Sequence, residues 1–333
     1  MGVLNLRLLL LLAAIVGSVA CVPTFDDNLP LIESPKVLAV SAEPAEAAPG
    51  DQVQLTALVA TPDVNGTTPE LSWGLCIARK PLTELGPVNP VCIQAADRAP
   101  GSIVPLGTGS SVSATVPSNP VDACRLFGPS LPEPMNGEPA GRPVDPDPTG
   151  GYYQPIGVTL LEDSVTTLGA VRIFCPPSGL DQDEAGAFNE SYKRNLNPSI
   201  DSVLLLSDSG GSSPLPNEPE TLHLTPGQVV RLEATWAACA DGTPCSGAES
   251  YVVFNSDSRE LEQRHESIRI SWYASAGRFE NAVTGRDESE FAISNTDNTW
   301  TAQADSKEVR LWLVIRDARG GQTFKSFLVS VKP

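Results

Sequence analysis

A chain of 333 residues exceeds the roughly 150 of a typical single domain and has room for two cores. Its 31 Pro and 27 Gly, set against two Met and two His, exclude a long-helix architecture and favour many short strands and turns. A formal charge of −18 excludes nucleic acid as a partner, since phosphate backbones reward clustered Lys and Arg, and excludes adhesion to anionic lipid through a basic face.

Residues 1–7 carry one positive charge, Arg7, and residues 8–20 form an apolar run. That run is shorter than the ~20 residues a membrane-spanning helix needs, and Pro23 with Asp26 and Asp27 prevents its continuation. Residues 1–20 therefore read as a cleaved signal peptide and not as part of the fold. The sequence Ser18-Val19-Ala20-Cys21 resembles a lipobox, although Ser18 stands where Leu is usual. The resemblance implies a lipoprotein in which Cys21 becomes the palmitate-bearing N-terminus and the membrane is reached through that lipid. Val22 in place of Asp does not match the inner-membrane retention signal of enteric bacteria, so a lipid-anchored cell-envelope location at the outer membrane is expected in preference to the inner. Residues 21–34, with Pro23, Asp26, Asp27, Asn28 and Pro30, read as a lipidated tether.

Seven Cys are an odd number for an exported chain, and assigning Cys21 to lipid leaves six for pairing. Outside the cytosol Cys76, Cys92, Cys124, Cys175, Cys239 and Cys245 can be structural disulfides. Asp241-Gly242-Thr243-Pro244 is a turn that closes Cys239 on Cys245. The other four allow three pairings, of which Cys76 with Cys92 and Cys124 with Cys175 crosses the chain least. No Cys-x-x-Cys pair occurs and neither His lies near a Cys at zinc-finger spacing, so a zinc site is not expected.

Beyond the tether the chain repeats itself. Pro35-Lys36-Val37-Leu38-Ala39-Val40 has an echo in Pro198-Ser199-Ile200-Asp201-Ser202-Val203. Pro49-Gly50-Asp51-Gln52-Val53-Gln54-Leu55-Thr56-Ala57 shares Pro-Gly-x-x-Val-x-Leu-x-Ala with residues 226–234, Leu71-Ser72-Trp73 parallels Ile270-Ser271-Trp272, and residues 157–163 parallel 312–317 more loosely. Period-two alternation places Val53, Leu55 and Ala57, and likewise Val230, Leu232 and Ala234, on the buried face of a strand that follows a turn. Near the C-terminus, residues 309–316 and 323–331 read as a hairpin around Asp317-Ala318-Arg319-Gly320-Gly321.

A turn and strand, then a Trp on the next core strand, then a terminal hairpin resembles the immunoglobulin-like superfamily. Residues 272–279 and 298–302, with the Arg-Asp-x-x-Gly-Gly hairpin, are similar to polycystic-kidney-disease-type and cadherin-like repeats. The resemblance implies an all-β protein, two tandem immunoglobulin-like β-sandwiches over 35–177 and 196–333, with Trp73 and Trp272 in their cores. The disulfide of antibody domains has no counterpart, because neither second strand carries a Cys. The Pro- and Gly-rich residues 127–151 cannot form a central strand or helix and read as a long surface loop. Leu180, Phe188 and Tyr192 recur at multiples of four, predicting a short amphipathic helix within a 178–195 linker.

Catalytic groups are scarce. His223 alternates with Leu222 and Leu224 as a solvent-facing strand residue, and His265, within Arg264-His265-Glu266, reads as a charged loop residue. Neither sits in a nucleophile motif, so no cofactor and no enzymatic activity are expected, a hydrolase being the remaining alternative. Structural calcium stays open at Ser207-Asp208-Ser209-Gly210-Gly211, Asn255-Ser256-Asp257-Ser258 and Asn295-Thr296-Asp297-Asn298, segments that are also ordinary polar turns. The expected role is non-enzymatic: sandwiches that present loops, chiefly 127–151, to a protein or glycan partner, or that serve as a structural spacer or subunit of a surface assembly.

Overall fold

Two alternating segments organise the molecule: Val53, Leu55 and Ala57 on one strand and Val230, Leu232 and Ala234 on another all point into cores, with Leu55, Leu232 and Ala234 fully buried. The computed structural model describes residues 30–332 except 65, 81–87, 120–121, 129–150, 176, 178–179, 208, 241–242, 256 and 305–307. The expected signal peptide, Cys21 and nearly all of the expected 127–151 loop lie outside the described residues.

The first unit contains β1 (Lys36–Glu43), β2 (Glu46–Ala47), β3 (Gln52–Ala60), β4 (Leu71–Cys76), β5 (Ile103–Thr108), β6 (Ser111–Thr115), one-turn helix α1 (Ala123–Leu126), β7 (Tyr152–Leu160) and β8 (Val165–Ile173). One sheet has the order β1-β3-β6 and the facing sheet β2-β8-β7-β4-β5. Helix α2 (Gln182–Ser191) leads to the second unit.

That unit contains β9 (Ser202–Leu206), β10 (Ser212–Pro214), β11 (Thr221–Leu224), β12 (Val229–Thr235), β13 (Ser250–Asn255), β14 (Glu260–His265), β15 (Ile268–Ala274), β16 (Arg278–Phe279), β17 (Val283–Arg286), β18 (Asn295–Thr301), β19 (Glu308–Arg316) and β20 (Gln322–Val331). Its sheets run β10-β9-β12-β18-β16 and β11-β20-β19-β15-β17, with β13 and β14 as a separate hairpin.

The two units share one topology. In each, a short strand pairs in parallel with the last strand, β2 on β8 and β11 on β20, while the other ladders are antiparallel. This is the strand order of an immunoglobulin-like sandwich, with β1, β3, β6 and β9, β12, β18 as strands A, B and E. Trp73 on β4 and Trp272 on β15 occupy the same position, strand C, and both are buried. Their indole N–H groups donate to the Gly109 carbonyl at 2.7 Å and to Thr284 Oγ1 at 2.8 Å, which satisfies the one polar atom each brings inside.

Disulfides join Cys76 to Cys92, Cys124 to Cys175 and Cys239 to Cys245. The linker helix is shorter than residues 180–195. Asp181 caps it, accepting from the Glu184 N–H at 2.9 Å while Glu184 accepts from the Asp181 N–H at 2.8 Å, a reciprocal capping box. It stops at Ser191, where the ring of Tyr192 packs at a tilt against Phe188 and Phe174 and the Tyr192 hydroxyl is drawn to Glu46 of the first unit. From there the backbone is extended, with Asn195 and Asn197 bonded to both units.

Candidate functional site

The most elaborate chemistry in the described residues lies where the two sandwiches meet, and it begins with apolar surface. Strand β19 contains the unbroken run Leu311-Trp312-Leu313-Val314-Ile315, so that alternation sends Leu311, Leu313 and Ile315 into the second core and Trp312 and Val314 outward. Those outward side chains are only 3 % and 0 % exposed. They are covered by Ala39, Leu58 and Ala60 of the first unit and by Ile32. The sandwiches therefore pack side by side, strand β1 of the first lying on the β20-β19-β15 face of the second.

Above this contact a row of side chains closes the free edge of β1. The carbonyls of Leu38, Val40 and Ala42 accept from Arg316 Nη2 at 2.8 Å, Gln322 Nε2 at 2.6 Å and Asn197 Nδ2 at 2.6 Å. An edge strand that would otherwise offer unpaired carbonyls is thus capped, every second residue, by the other domain. The end of the expected tether takes part as well. Residues Leu31 and Ile32 carry apolar side chains, and Ile32 is 1 % exposed. The Ala274 N–H donates to the Pro30 carbonyl and the Ile32 N–H to the Ala274 carbonyl, both at 2.9 Å. Residues 21–34 are therefore not a free spacer throughout: their last residues dock on β15, because burial of Ile32 outweighs the cost of ordering them.

At the linker end of the seam sits a buried ionic cluster. The turn between β19 and β20 turns Arg319 inward to 0 % exposure. Its Nε donates to Glu266 Oε1 at 2.7 Å, its Nη2 to Glu249 Oε2 at 2.9 Å and its Nη1 to the Lys193 carbonyl at 2.9 Å. Its guanidinium lies 4.7 Å from the Tyr251 ring centroid. On the first unit Arg172 Nε approaches Glu46 Oε2 at 3.3 Å and its Nη1 donates to the Tyr153 hydroxyl at 3.1 Å. The halves are stitched by the Tyr153 hydroxyl donating to the Arg319 carbonyl at 3.2 Å and by Asn195, whose N–H reaches Glu46 at 2.8 Å and whose Nδ2 reaches Asp317 at 3.1 Å.

Three carboxyl groups, Glu46, Glu249 and Glu266, thus share two guanidinium groups away from water, and part-buried Asp317 sits beside them, accepting from Asn195 and from the Arg319 N–H. Burial pushes the Asp317 carboxyl up to about 6 although Arg319 opposes the shift. Burial, reinforced by Asp317, raises Glu266 well above the usual carboxylate range, and burial also raises Glu249. Burial would lower Arg319, but the Glu266 carboxylate beside it makes the net shift upward. The arrangement holds two bodies in one geometry, and its outer edge borders an open hollow of about 320 Å³ lined by Leu38, Val40, Tyr153, Arg316, Asp317 and Gln322.

The long loop is rooted on this junction. A side chain at Gly128 would meet Cys175 Sγ at 2.5 Å and Cys124 Cα at 2.7 Å, so the chain leaves the first unit pressed on the Cys124–Cys175 bridge. It returns at Gly151, where a Cβ would meet the Arg172 guanidinium, with Cζ at 2.7 Å, and the Tyr153 hydroxyl at 2.9 Å. Residues 129–150 themselves lie outside the described residues.

The other residues singled out in the sequence are dispersed. His223 is exposed on β11. His265 is the last residue of β14 and not a loop residue; pairing of that strand with β13 orders it, and its ring stacks on Phe291 at 3.7 Å. Of the calcium candidates, Asp208 and Ser256 lie outside the described residues. Residues 295–298 are not a turn but the start of β18, where buried Asn298 donates to the Asn281 carbonyl at 2.7 Å. Among the described residues no group of three or more His, Cys, Asp or Glu is placed to hold a metal ion. Sequence reading missed Glu46, Arg172, Glu249, Glu266 and the inward turn of Arg319. The apolar run 311–315 was the available signal, since a strand without alternation is covered on both faces.

No protein-family model matches the chain, and no curated protein does. Among solved structures, it is similar to the fibronectin(III)-like modules of Clostridium thermocellum CbhA at 9 % identity and a TM-score of 0.22, covering 90 % of this chain and 94 % of that one. It is also similar to the Yersinia pseudotuberculosis adhesin InvE at 11 % identity and a TM-score of 0.22, covering 88 % of this chain and 58 % of that one. A third is the C-terminal domain of the Streptococcus agalactiae AgI/II polypeptide BspA, at 7 % identity and a TM-score of 0.22, covering 90 % and 99 %. At such scores the fold class rests on the strand order described above, and nothing about activity follows from these likenesses.

Proposed function

We propose that this chain is a non-enzymatic, lipid-anchored cell-envelope module that presents a rigid pair of immunoglobulin-like sandwiches, and the loop 127–151 between Gly128 and Gly151, to a protein or glycan partner. The supporting observation is that one root of the loop rests on a disulfide and the other on Arg172, a member of the cluster that fixes the two domains. The two roots are thereby fixed on the first unit, and rigid scaffolds carrying loops are the common design of recognition surfaces. All six described cysteines are in disulfides, which leaves no thiol nucleophile among them. The anchor is assigned to Cys21 and the location to the outer membrane.

A structural spacer is the second reading, favoured by the packing itself, since the apolar seam and capped β1 edge fix the geometry of the two units. Photo-crosslinkers placed in 127–151 and, separately, on the exposed faces of β3 and β12 distinguish the two in intact cells. Presentation predicts adducts from the loop positions; adducts from the sheet faces alone would leave the spacer. Intact-mass measurement of protein extracted from membranes tests the anchor, and a product without acyl mass on Cys21 would remove it.

A further inference from the structure

Among the described residues, every strand that ends a sheet but one carries a device that prevents pairing with another chain. The β1 edge is capped by Arg316, Gln322 and Asn197. Strand β2 is two residues long and contains Glu46, β5 contains Pro105 beside a register shift, and β10 ends in Pro214. Strand β16 is two residues with Arg278, β17 carries Arg286, and four-residue β11 runs into Pro226. In the separate hairpin, helix α2 packs against β13, and β14 holds Glu260, Glu262 and Arg264.

Strand β6, Ser111-Val112-Ser113-Ala114-Thr115, has none of these. It is the edge of its sheet, paired on one side with β3, and among the described residues nothing pairs on the other. It has no charge and no Pro, and its ladder with β3 keeps one register throughout. Its outward residues Ser111, Ser113 and Thr115 are exposed, and the neighbouring outward residues of β3, Gln52, Gln54 and Thr56, are also uncharged. Gln54 Nε2 donates to Ser111 Oγ at 2.6 Å and Ser113 Oγ donates to Gln54 Oε1 at 2.7 Å.

We infer that β6 is a self-association edge, pairing antiparallel with β6 of a second copy to join two β1-β3-β6 sheets into one of six strands. The sequence of the strand is self-complementary about Ser113. Antiparallel pairing centred there sets Ser111 against the partner's Thr115 and Ser113 against the partner's Ser113 on the exposed face, with Val112 against the partner's Ala114 on the buried face. Small hydroxyl pairs and small apolar pairs are both compatible neighbours across a ladder. Charge selects the same edge: two copies at −18 each repel, and a neutral strip is where backbones can approach without setting like charges opposite one another. The pairing is isologous and closes at two copies, leaving no edge for continued growth on that side.

In such a pair the two Ser113 Cα atoms stand about 4.5–5.5 Å apart, within the reach of a disulfide. The test is S113C in the full mature protein under mild oxidation, beside T301C, an equally exposed position on the corresponding strand of the second domain, where β16 already pairs. The expected result is a covalent dimer from S113C and none from T301C. In sedimentation equilibrium S113K, which places two like charges across the axis, should weaken dimerisation at least tenfold with its circular dichroism spectrum unchanged. S113C that stays monomeric while reacting freely with a thiol reagent, equal crosslinking at both sites, or a dimer indifferent to S113K would each overturn the pairing. S113C trapped on a different protein would assign the edge to that protein and overturn self-association.

Discussion

Arg319 concentrates the consequences of burial in one side chain. Its guanidinium spends its donors on Glu266, Glu249 and the Lys193 carbonyl, so truncation leaves two carboxylates buried without their counter-ion. Breaking one partner of such a cluster costs about 3–5 kcal/mol, whereas the exposed pair Arg231–Asp297 is screened by water and should contribute far less. Urea denaturation of R319A and R231A should show that contrast, and equal losses would mean the junction contributes no more than surface does. The cluster also sets a pH dependence with a definite sign. Burial raises Asp317 from its ordinary 3.8 to about 6, so the folded state favours the protonated form. The associated stability is fully present below the unfolded value and is lost as pH rises through the folded one, and Glu249 and Glu266, raised in the same direction, add to it. The thermal midpoint should therefore gain a contribution from Asp317 as pH falls from about 6.5 to about 4, and D317N should remove that contribution. An identical pH profile for D317N over the same interval would contradict the placement of this carboxyl.

Among the elements, the docked segment at residues 30–32 and strand β19 decide how the domains meet. Ile32 is nearly inaccessible and the segment's two backbone bonds both go to Ala274. Ile32→Ala should release this segment locally before the sandwiches unfold, read as a rise of tenfold or more in hydrogen exchange at the Ala274 amide with little change in the global midpoint. Unchanged exchange would mean that the docking does not depend on Ile32. The sandwiches themselves were legible, because Pro-Gly turns, alternating strands and one Trp per unit state a strand order with local chemistry. The side-by-side arrangement was not. It depends on Leu38, Ala39 and Leu58 meeting Trp312 and Val314, residues distant in sequence, and only the absence of alternation in β19 hints at a second covered face. The ionic cluster was less visible still, since Glu46, Arg172, Glu249 and Glu266 look like any surface charges until four separate segments bring them together.

The whole molecule is two immunoglobulin-like sandwiches held as one body by an apolar seam, a capped edge and a buried cluster. A net charge of −18 makes copies of such a body repel one another and favours its solubility. Both roots of loop 127–151, at Gly128 and Gly151, and residues 30–32 are held by this body. Small-angle X-ray scattering of the mature protein tests that claim most directly. Side-by-side packing of about 300 residues predicts a radius of gyration near 20 Å and a single-body profile unchanged by salt. A markedly larger radius, with the broad profile of two bodies moving on the 192–198 linker, would contradict it.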